Sequence, residues 1–474
     1  MMLNREELRA LCLKDPDAVI AIIEQLEARI VDLESRFNRN SHNSNNPPSS
    51  DRFRKTKSLR KTGIRHTGGQ EGHKGTTLVQ TEKPDAIQNH KPDSCEHCGA
   101  NLHGVTTSSI EKRQVFGVII KRHVVEHRSH QKECPHCHKL TRGQFPDQVT
   151  QPVQYDQSVI SAAACFHNFG FVPYDPLSKM FRDILKIPIS PATMINGDIR
   201  IAASLGSHDK AVRELLSQSP VIHCDETGFR VNADNQWLHV TSTEWLTLYQ
   251  THRSRGSAAI RDMGILPDYR GVAVHDCYTS YYQFSACDHA LCIAHLMREL
   301  NGVLENTGHV WAQEMLDLLE TIYDRIEDAK PCSHSLDLWT TGTFEQEFMR
   351  ICEDGLAGIP PPVPIPGSLR RGRKRQSAEK NLLDRLIRRK RDILRCMYDF
   401  NVPFTNNQAE RDLRMMKVRQ KRSGGFRTHD GATMFCKIRG YISTAMKNGV
   451  SPFIAIQDAL KGSPFIPQAP AMAE

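Results

Sequence analysis

Long apolar runs are missing from this sequence of 474 residues. No stretch of about eighteen apolar residues exists, the length a membrane-spanning helix needs, and the first fourteen residues carry charges instead of a cleavable apolar core. The fourteen cysteines also lack the spacing of a disulfide framework, since four form two Cys-x-x-Cys pairs and ten are scattered. We therefore expect a protein without membrane contact in a reducing compartment, the cytoplasm.

Negative charge is scarce in one part of the chain. The formal net charge is +8, but residues 370–427 hold nineteen Lys or Arg against six Asp or Glu, a balance of +13, which leaves about −5 for the rest. A mildly acidic protein with one strongly basic segment favours a polyanionic partner. A second basic stretch covers residues 52–74. There a solvated linker is an equal alternative to contact with a DNA backbone.

At this length several domains are expected. Residues 1–40 carry an apolar stripe that alternates steps of four and three, which predicts a coiled-coil helix and a homodimer or larger assembly. The stripe consists of Val19, Ile23, Leu26, Ile30, Leu33 and Phe37. A helix that packs on its own domain is the alternative. Residues 41–90 are polar and basic and are expected to form a linker.

Residues 91–145 contain both Cys-x-x-Cys pairs. Four thiolates suit one tetrahedral zinc ion, so we predict a ribbon with structural zinc. Its ligands are Cys95, Cys98, Cys134 and Cys137. The strand-like segment Val115–Val125 is expected to form a hairpin between the pairs. Free buried thiols are the alternative, and four histidines are alternative ligands: His97, His103, His136 and His138.

Residues 150–215 follow a helical pattern. One helix is predicted at Tyr174–Leu185, and Ser190 followed by Pro191 is a strong start signal for the next. Two helices in this order fit a helix-turn-helix that binds DNA. Many packed helix pairs look the same, so ordinary packing is the alternative.

Three short passages each end in an acidic residue: Val221–Asp225, Gly271–Asp276 and Thr405–Glu410. The first two read as apolar strands that deliver a carboxylate at their carboxyl ends, where open α/β sheets place ligands, and the third reads as a helix start. Together the three carboxylates would hold two hard divalent cations, which clamp the attacking and leaving oxygens of a phosphodiester. The chemistry predicted is DNA strand cleavage and joining.

Each of these residues also has a structural alternative. An aspartate that closes a strand can simply start a turn. Glu410 can complete a capping box with Asn407 three residues earlier. What favours function is the helix that follows, because Arg414 and Lys417 share the face of Glu410 and could hold phosphates.

The pattern around these carboxylates is that of a mixed α/β domain. Two strands, Gln236–Ser242 and Leu246–His252, follow Asp225, and a helix near Ser257–Met263 precedes the strand that ends at Asp276. This is the layout of ribonuclease-H-like nucleases. We therefore predict a multidomain α/β protein with a ribonuclease-H-like catalytic domain at 216–430, a helical insertion at about 300–391, and a helical carboxyl-terminal region at 431–474.

Specific motifs extend this pattern to nearly the whole chain. They are Asn40–Asp51, Gly68–Gly75, the two Cys-x-x-Cys pairs, His223–Thr227, His275–Cys277, Cys292–Leu300, and Asn406–Arg411 with Arg414. In these motifs the chain resembles the DDE transposases of the bacterial insertion sequence 66 family.

The resemblance implies that Asp225, Asp276 and Glu410 are a catalytic triad that holds two magnesium or manganese ions. It also implies that the partners are DNA, as element ends and target, and small accessory proteins of the same element, in the bacterial cytoplasm at the nucleoid. Cys292 and His295 stand where related transposases have a Cys-x-x-His pair, which would bring His295 close to DNA. A core cysteine and a hydrogen-bonded histidine are the alternative.

The resulting hypothesis is in-line phosphoryl transfer. Cleavage at an element end frees a 3′ hydroxyl that attacks target DNA, and basic side chains neutralise the phosphates. Those side chains are Arg411, Arg414, Lys417, Arg419 and Lys421. Two other functions remain open: a non-catalytic DNA-binding regulator derived from a transposase, and a structure-selective nuclease on the same fold.

Overall fold

The computed structural model describes residues 9, 12–13, 15–40, 42–44, 77–359 and 376–469. The first helix, α1, spans Pro16–Asn38. Five side chains of the predicted stripe are at least half exposed, from Ile23 at 50% to Phe37 at 79%, whereas Val19 is half-buried. Most of the stripe is therefore uncovered by the described residues of the chain. The predicted linker and its basic stretch fall mostly on residues 45–76, outside the described residues.

Both cysteine pairs lie in tight turns. Strands β1 (Gln131–Glu133) and β2 (Leu140–Arg142) form an antiparallel hairpin around the second pair. The first pair is closed by a bridge between Ser94 and Asn101. The hairpin predicted at Val115–Val125 is wrong, because the described part of this region has no ladder there and Val115 is 96% exposed. A β-branched run becomes a strand only where another strand pairs with it.

Four helices follow the segment with the two cysteine pairs: α2 (Gln157–Ala164), α3 (Tyr174–Asp183), α4 (Pro191–Ser204) and α5 (Gly206–Gln218). A single π-helical turn, Cys165–Phe169, continues α2. The helix start predicted at Ser190 is confirmed, since the Ser190 hydroxyl accepts a hydrogen bond from the backbone N–H of Thr193 at 3.1 Å. The apolar faces of α2, α3 and α4 enclose a core that includes Leu177, Phe181 and Ile201. Helix α5 packs into a separate core through Val212 and Leu216.

A mixed sheet of five strands forms the centre of the molecule. Its elements in chain order are β3 (Val221–Val231), β4 (Asp234–Ser242), β5 (Thr247–His252), helix α6 (Ser257–Asp262), β6 (Val272–His275) and β7 (Asp288–Leu291). The strand order is β5-β4-β3-β6-β7. Strands β3, β4 and β5 are antiparallel neighbours, whereas β6 and β7 run parallel to β3. The chain is therefore a mixed α/β protein.

One predicted strand end is wrong. The sequence placed Asp225 at the carboxyl end of its strand, but β3 continues to Val231 and Asp225 lies in its middle. The parallel ladder with β6 stops at His223, whereas the antiparallel ladder with β4 runs on to Val231 and Asp234. Because β4 keeps supplying hydrogen-bond partners, the strand extends beyond the carboxylate.

A helical insertion separates β7 from the next helix on the sheet. It consists of α7 (Ile293–Thr307), α8 (Val310–Ala329), α9 (Leu338–Ala357), α10 (Ala378–Arg388), α11 (Lys390–Ile393) and α12 (Arg395–Tyr398). These helices share their own core, with Leu300, Leu319 and Phe348 at its centre. Residues 360–375 of the insertion lie outside the described residues.

A short amino-terminal segment docks on this insertion. The Asn43 side-chain amide donates to the Glu305 carboxylate at 2.7 Å. A Cβ atom on Gly302 would lie only 2.3 Å from the backbone oxygen of Asn43, so α7 has a glycine where the segment crosses it. We call residues 42–44 the docked segment.

Three helices complete the fold: α13 (Asn407–Ser423), α14 (His429–Lys447) and α15 (Pro452–Leu460). Helix α13 lies along β3, since the Lys417 ammonium donates to the backbone oxygen of Gly228 at 2.8 Å. Helices α14 and α15 close the core of α2–α4 with Ile442 and Ile456. Within the described ranges, no helix combines the length and apolarity that a membrane crossing requires.

Candidate active site

Asp225 lies on β3, and Asp276 directly follows the neighbouring strand β6. The parallel register pairs His223 with Val274. Asp225 comes two residues after His223, and Asp276 comes two residues after Val274, so both lie just beyond the end of this ladder. They are close enough for the charge of Asp276 to raise the pKa of Asp225. The backbone N–H of Tyr278 also donates to the Asp276 carboxylate at 3.1 Å. Asp276 therefore starts a turn, as the structural alternative for this residue expected, and it also lies close to Asp225.

The surroundings of Asp225 disfavour its charged form. Burial raises the pKa of Asp225 well above its ordinary value, and the negative charges of Glu226, Asp276 and Glu410 raise it further. One of its oxygens accepts a hydrogen bond from the backbone N–H of Glu226 at 2.8 Å. A cation bound among these carboxylates would remove this penalty, because it favours the ionised form of each.

Glu226 and Arg255 are site residues that the sequence reasoning missed. The Arg255 guanidinium donates to the buried Glu226 carboxylate at 2.6 Å and lies 3.7 Å from an oxygen of Asp276. The Tyr281 hydroxyl donates to the other Glu226 oxygen at 2.6 Å. Burial raises the pKa of Glu226, and the two hydrogen bonds oppose that shift. Arg255 follows the β5 strand, and no local pattern could have revealed its partner 29 residues earlier.

Glu410 is positioned by the residue that starts its helix. Asn406 is 1% exposed, and its side-chain amide donates to the backbone oxygen of Cys224 at 2.8 Å. Its amide oxygen accepts from the His223 ring at 2.9 Å. Both contacts tie the start of α13 to β3 within two residues of Asp225. Glu410 follows one helical turn later.

The capping-box alternative for Glu410 is wrong. The helix begins one residue earlier than that arrangement requires, with Asn406 as the N-cap and Asn407 as the first helical residue. No side chain caps this helix, because the Asn406 amide is occupied by β3. The sequence motif around Glu410 is therefore used for attachment to the sheet.

Cys292, His295 and Glu410 lie together at the start of α7. One ligand atom from each of them lies within 4.8 Å of the other two. His295 Nδ1 is 3.7 Å from a Glu410 oxygen, and both atoms are buried without a hydrogen-bond partner. Burial and the nearby Arg298 lower the pKa of His295, which keeps the ring neutral and able to accept a cation. Cys292 has the buried place expected of a core residue, but His295 lacks the expected hydrogen bond.

Among the described residues, no other three His, Cys, Asp or Glu side chains bring their ligand atoms within 4.8 Å of one another. The predicted triad of Asp225, Asp276 and Glu410 is more widely spaced. Its members nevertheless act on one another, since Asp276 and Glu410 both raise the pKa of Asp225. The structure therefore brings the carboxylates of β3, the end of β6 and α13 to one region of the sheet surface.

The cysteine pairs form two separate turns. Backbone N–H groups of His97 and Cys98 lower the pKa of Cys95, and those of Cys137 and His136 lower the pKa of Cys134. Such N–H contacts favour the thiolate, the form that binds metal. Among the residues described, the two pairs do not come together within the 4.8 Å that would make them one ligand group.

The basic side chains of α13 divide into two sets. Arg411, Arg414, Lys417 and Lys421 are exposed along its outer face. Arg419 is placed differently from the prediction: it is 8% exposed, and its guanidinium lies 3.4 Å from the centre of the Phe426 ring. Burial lowers the pKa of Arg419 to about 10. Its guanidinium packs against the faces of aromatic rings and is not available to bind phosphates.

Comparison with known proteins identifies the family of this chain. The family model described as "Transposase IS66 family" matches residues 152–434, which contain the three predicted carboxylates as well as Cys292 and His295. A family of unknown function, DUF6444, matches residues 2–78. The uncharacterized protein y4jO of Sinorhizobium fredii is 26% identical over 251 residues, which cover 52% of this chain and 70% of that protein.

Proposed function

Because the chain belongs to the IS66 transposase family, we propose that it is the transposase of a bacterial insertion sequence and that it cleaves and joins DNA with divalent metal ions. It binds the terminal inverted repeats of its element and transfers the freed strand to target DNA. The observation that carries this proposal is the approach of Asp225, Asp276 and Glu410 from three different elements. We expect the reaction to take place in the bacterial cytoplasm, on the nucleoid.

The catalytic domain is proposed to be ribonuclease-H-like. The strand order supports this, since three antiparallel strands are followed by two that run parallel to the first. The first aspartate on the central strand and the second after its parallel neighbour fit the same fold. The helical insertion between β7 and α13 keeps Glu410 far from the aspartates in sequence but not in space.

The three carboxylates would hold magnesium or manganese, two ions in the proposed reaction, and these ions supply charge neutralisation at the attacking and leaving oxygens. The chain's own side chains prepare this site. Arg255 joins Asp276 to Glu226 and so restrains the second aspartate. Asn406 fixes the helix that carries Glu410.

Basic residues beside the carboxylates are proposed to hold DNA phosphates. Arg411, Arg414, Lys417 and Lys421 are exposed on the helix that carries Glu410, so a strand that enters the site crosses them. His295 would approach the same strand from α7. Arg419 is left out of this set because its guanidinium is enclosed by aromatic rings.

The remaining modules are proposed to organise two DNA ends. Pairing along the exposed stripe of α1 would give a homodimer, and Cys95, Cys98, Cys134 and Cys137 would bind structural zinc. Helices α3 and α4 would serve as the helix-turn-helix. Accessory proteins of the same element are further expected partners.

The proposal is tested with purified protein, magnesium and labelled DNA that carries the element's own end. Glu410→Gln removes one negative charge and keeps the shape of the side chain, so discrete nicks and joined products should vanish while DNA affinity stays within a few fold. Glu353→Gln, the same change at an exposed position of α9, should behave like the unaltered protein.

Each outcome has a meaning. Cleavage by Glu410→Gln at the normal rate would refute the assignment of this carboxylate. Binding without cleavage by the unaltered protein, even with accessory proteins present, would indicate a DNA-binding regulator. Cleavage of branched DNA without joining at element ends would indicate a structure-selective nuclease.

A further inference from the structure

The group of Cys292, His295 and Glu410 does not have the ligand set that magnesium prefers. Magnesium is bound by oxygen ligands, whereas a thiol and an imidazole beside a carboxylate suit zinc and similar borderline ions. We propose that these three side chains form a site for one zinc-class ion, and that this ion competes with the catalytic metal for Glu410. The competition rests on the proposed function, but the binding site itself does not.

The distances fit such an ion. Zinc binds sulfur at about 2.3 Å and nitrogen or oxygen at about 2.0 Å, so tetrahedral ligands lie about 3.3–3.6 Å apart. His295 Nδ1 and the Glu410 oxygen are 3.7 Å apart, and the Cys292 sulfur lies within 4.8 Å of its two partners. Small side-chain rotations close the site. Three protein ligands leave a fourth position for water or a DNA oxygen.

Two of the ligand atoms lack any other partner. His295 Nδ1 and the Glu410 oxygen are buried and make no hydrogen bond, although a buried polar atom without a partner destabilises the folded state. The two atoms are too far apart to satisfy each other. An ion between them would satisfy both at once.

Two local contacts of the Cys292 sulfur favour its thiolate form. It stands at the N-cap of α7, where the helix dipole favours negative charge. The backbone N–H of Asn406 donates to the sulfur at 3.2 Å, so the first residues of two helices meet there. Burial nevertheless raises the pKa of the thiol to about 11. A bound ion would displace that proton and convert the thiol into a ligand.

Shared use of Glu410 gives the site a regulatory consequence. When zinc draws this carboxylate toward Cys292 and His295, the cluster with Asp225 and Asp276 loses its third member. Zinc should therefore suppress magnesium-dependent cleavage. The suppression is reversible, because a chelator of zinc would return Glu410 to the cluster.

Binding is measured with cobalt(II), which fills zinc sites and absorbs near-ultraviolet light when a thiolate binds it. The full chain carries Cys95→Ser, Cys98→Ser, Cys134→Ser and Cys137→Ser, so the exposed cysteine pairs do not contribute. One equivalent of cobalt should produce the thiolate absorption. Cys292→Ser or His295→Gln in this background should weaken binding by more than about 100-fold, since even the loss of a residue behind a metal ligand costs 10–100-fold.

The matched control is Cys287→Ser. Cys287 is also buried, but its sulfur contacts the backbone oxygen of Phe284 and lies outside the group. This variant should keep the absorption and the affinity. Far-ultraviolet circular dichroism checks that each variant is folded. If Cys292→Ser does not fold, His295→Gln tests the site in its place. Absence of the thiolate absorption, or equal affinity in all variants, would overturn the site.

Competition is tested separately. Cleavage with and without zinc is compared for the unaltered chain and for Cys292→Ser, each relative to its own rate without zinc. Zinc should inhibit the unaltered chain much more strongly than Cys292→Ser. Equal inhibition of the two proteins would overturn the shared use of Glu410. The cobalt measurement needs no DNA, so it separates failure of this site from failure of the proposed transposase function.

Discussion

Asn406→Ala should disturb the proposed active site more than the same substitution at the next residue, Asn407. The substitution leaves the buried His223 donor unpaired, at about 1–3 kcal/mol, and removes the bond to the Cys224 carbonyl, at about 1 kcal/mol. The expected loss of unfolding free energy is therefore about 2–4 kcal/mol. The start of α13 is also freed, and a displacement of Glu410 by about 1 Å would slow cleavage by about 100-fold.

Asn407→Ala is the matched control. Asn407 is exposed and makes no capping hydrogen bond, so its loss should cost less than about 0.5 kcal/mol. Both variants are unfolded in urea, with Trp237 and Trp245 of the central sheet region as fluorescent reporters, and their cleavage rates are measured with saturating magnesium. If Asn407→Ala is as destabilising as Asn406→Ala, Asn407 is the cap after all. The attachment of α13 through Asn406 would then be refuted.

Two further predictions concern other parts of the fold. Asp198 is 1% exposed, and burial raises its pKa from 3.8 to about 7. Its neutral form therefore stabilises the native state fully below pH 3.8, and this contribution, at most about 4 kcal/mol, is lost as the pH rises to about 7. Urea unfolding at pH 4.5 and 8 should show a larger loss of stability for the unaltered chain than for Asp198→Asn, and equal losses would contradict the burial argument. Gly302→Ala should expel the docked segment and speed trypsin cleavage after Arg39. Gly342→Ala is the control, because Gly342 lies in a helix with open space around it, and it should leave this cleavage unchanged. Unchanged cleavage in Gly302→Ala would show that the segment is held elsewhere.

Features set by neighbouring residues were predictable from the sequence. The start of α4 follows from the Ser190 hydroxyl and the Pro191 ring, both of which act within one turn. The apolar strand that ends before Asp276 is equally local. The motifs around the three carboxylates also led to the family that the comparisons support.

Features that depend on distant partners were not predictable. The length of β3 is set by β4, the burial of Arg419 by Phe426 and Phe435, and the role of Asn406 by the sheet. The partnership of Arg255 with Glu226 likewise exists only because the loop after β5 reaches strand β3. Short polar motifs gave the identity of such residues but not their contacts. Val115–Val125 has the composition of a strand and lacks only a partner.

The docked segment bears on how two chains could work together. Four residues lie between the end of α1 at Asn38 and Asn43, and the five Cα-to-Cα steps across them span at most about 18 Å when fully extended. If two chains pair along α1, each catalytic unit hangs from the pair by this short tether. The second unit would then meet its DNA end at an effective concentration near the millimolar range, without a search through solution. Lengthening the tether would lower that concentration and uncouple the two cleavage events in time.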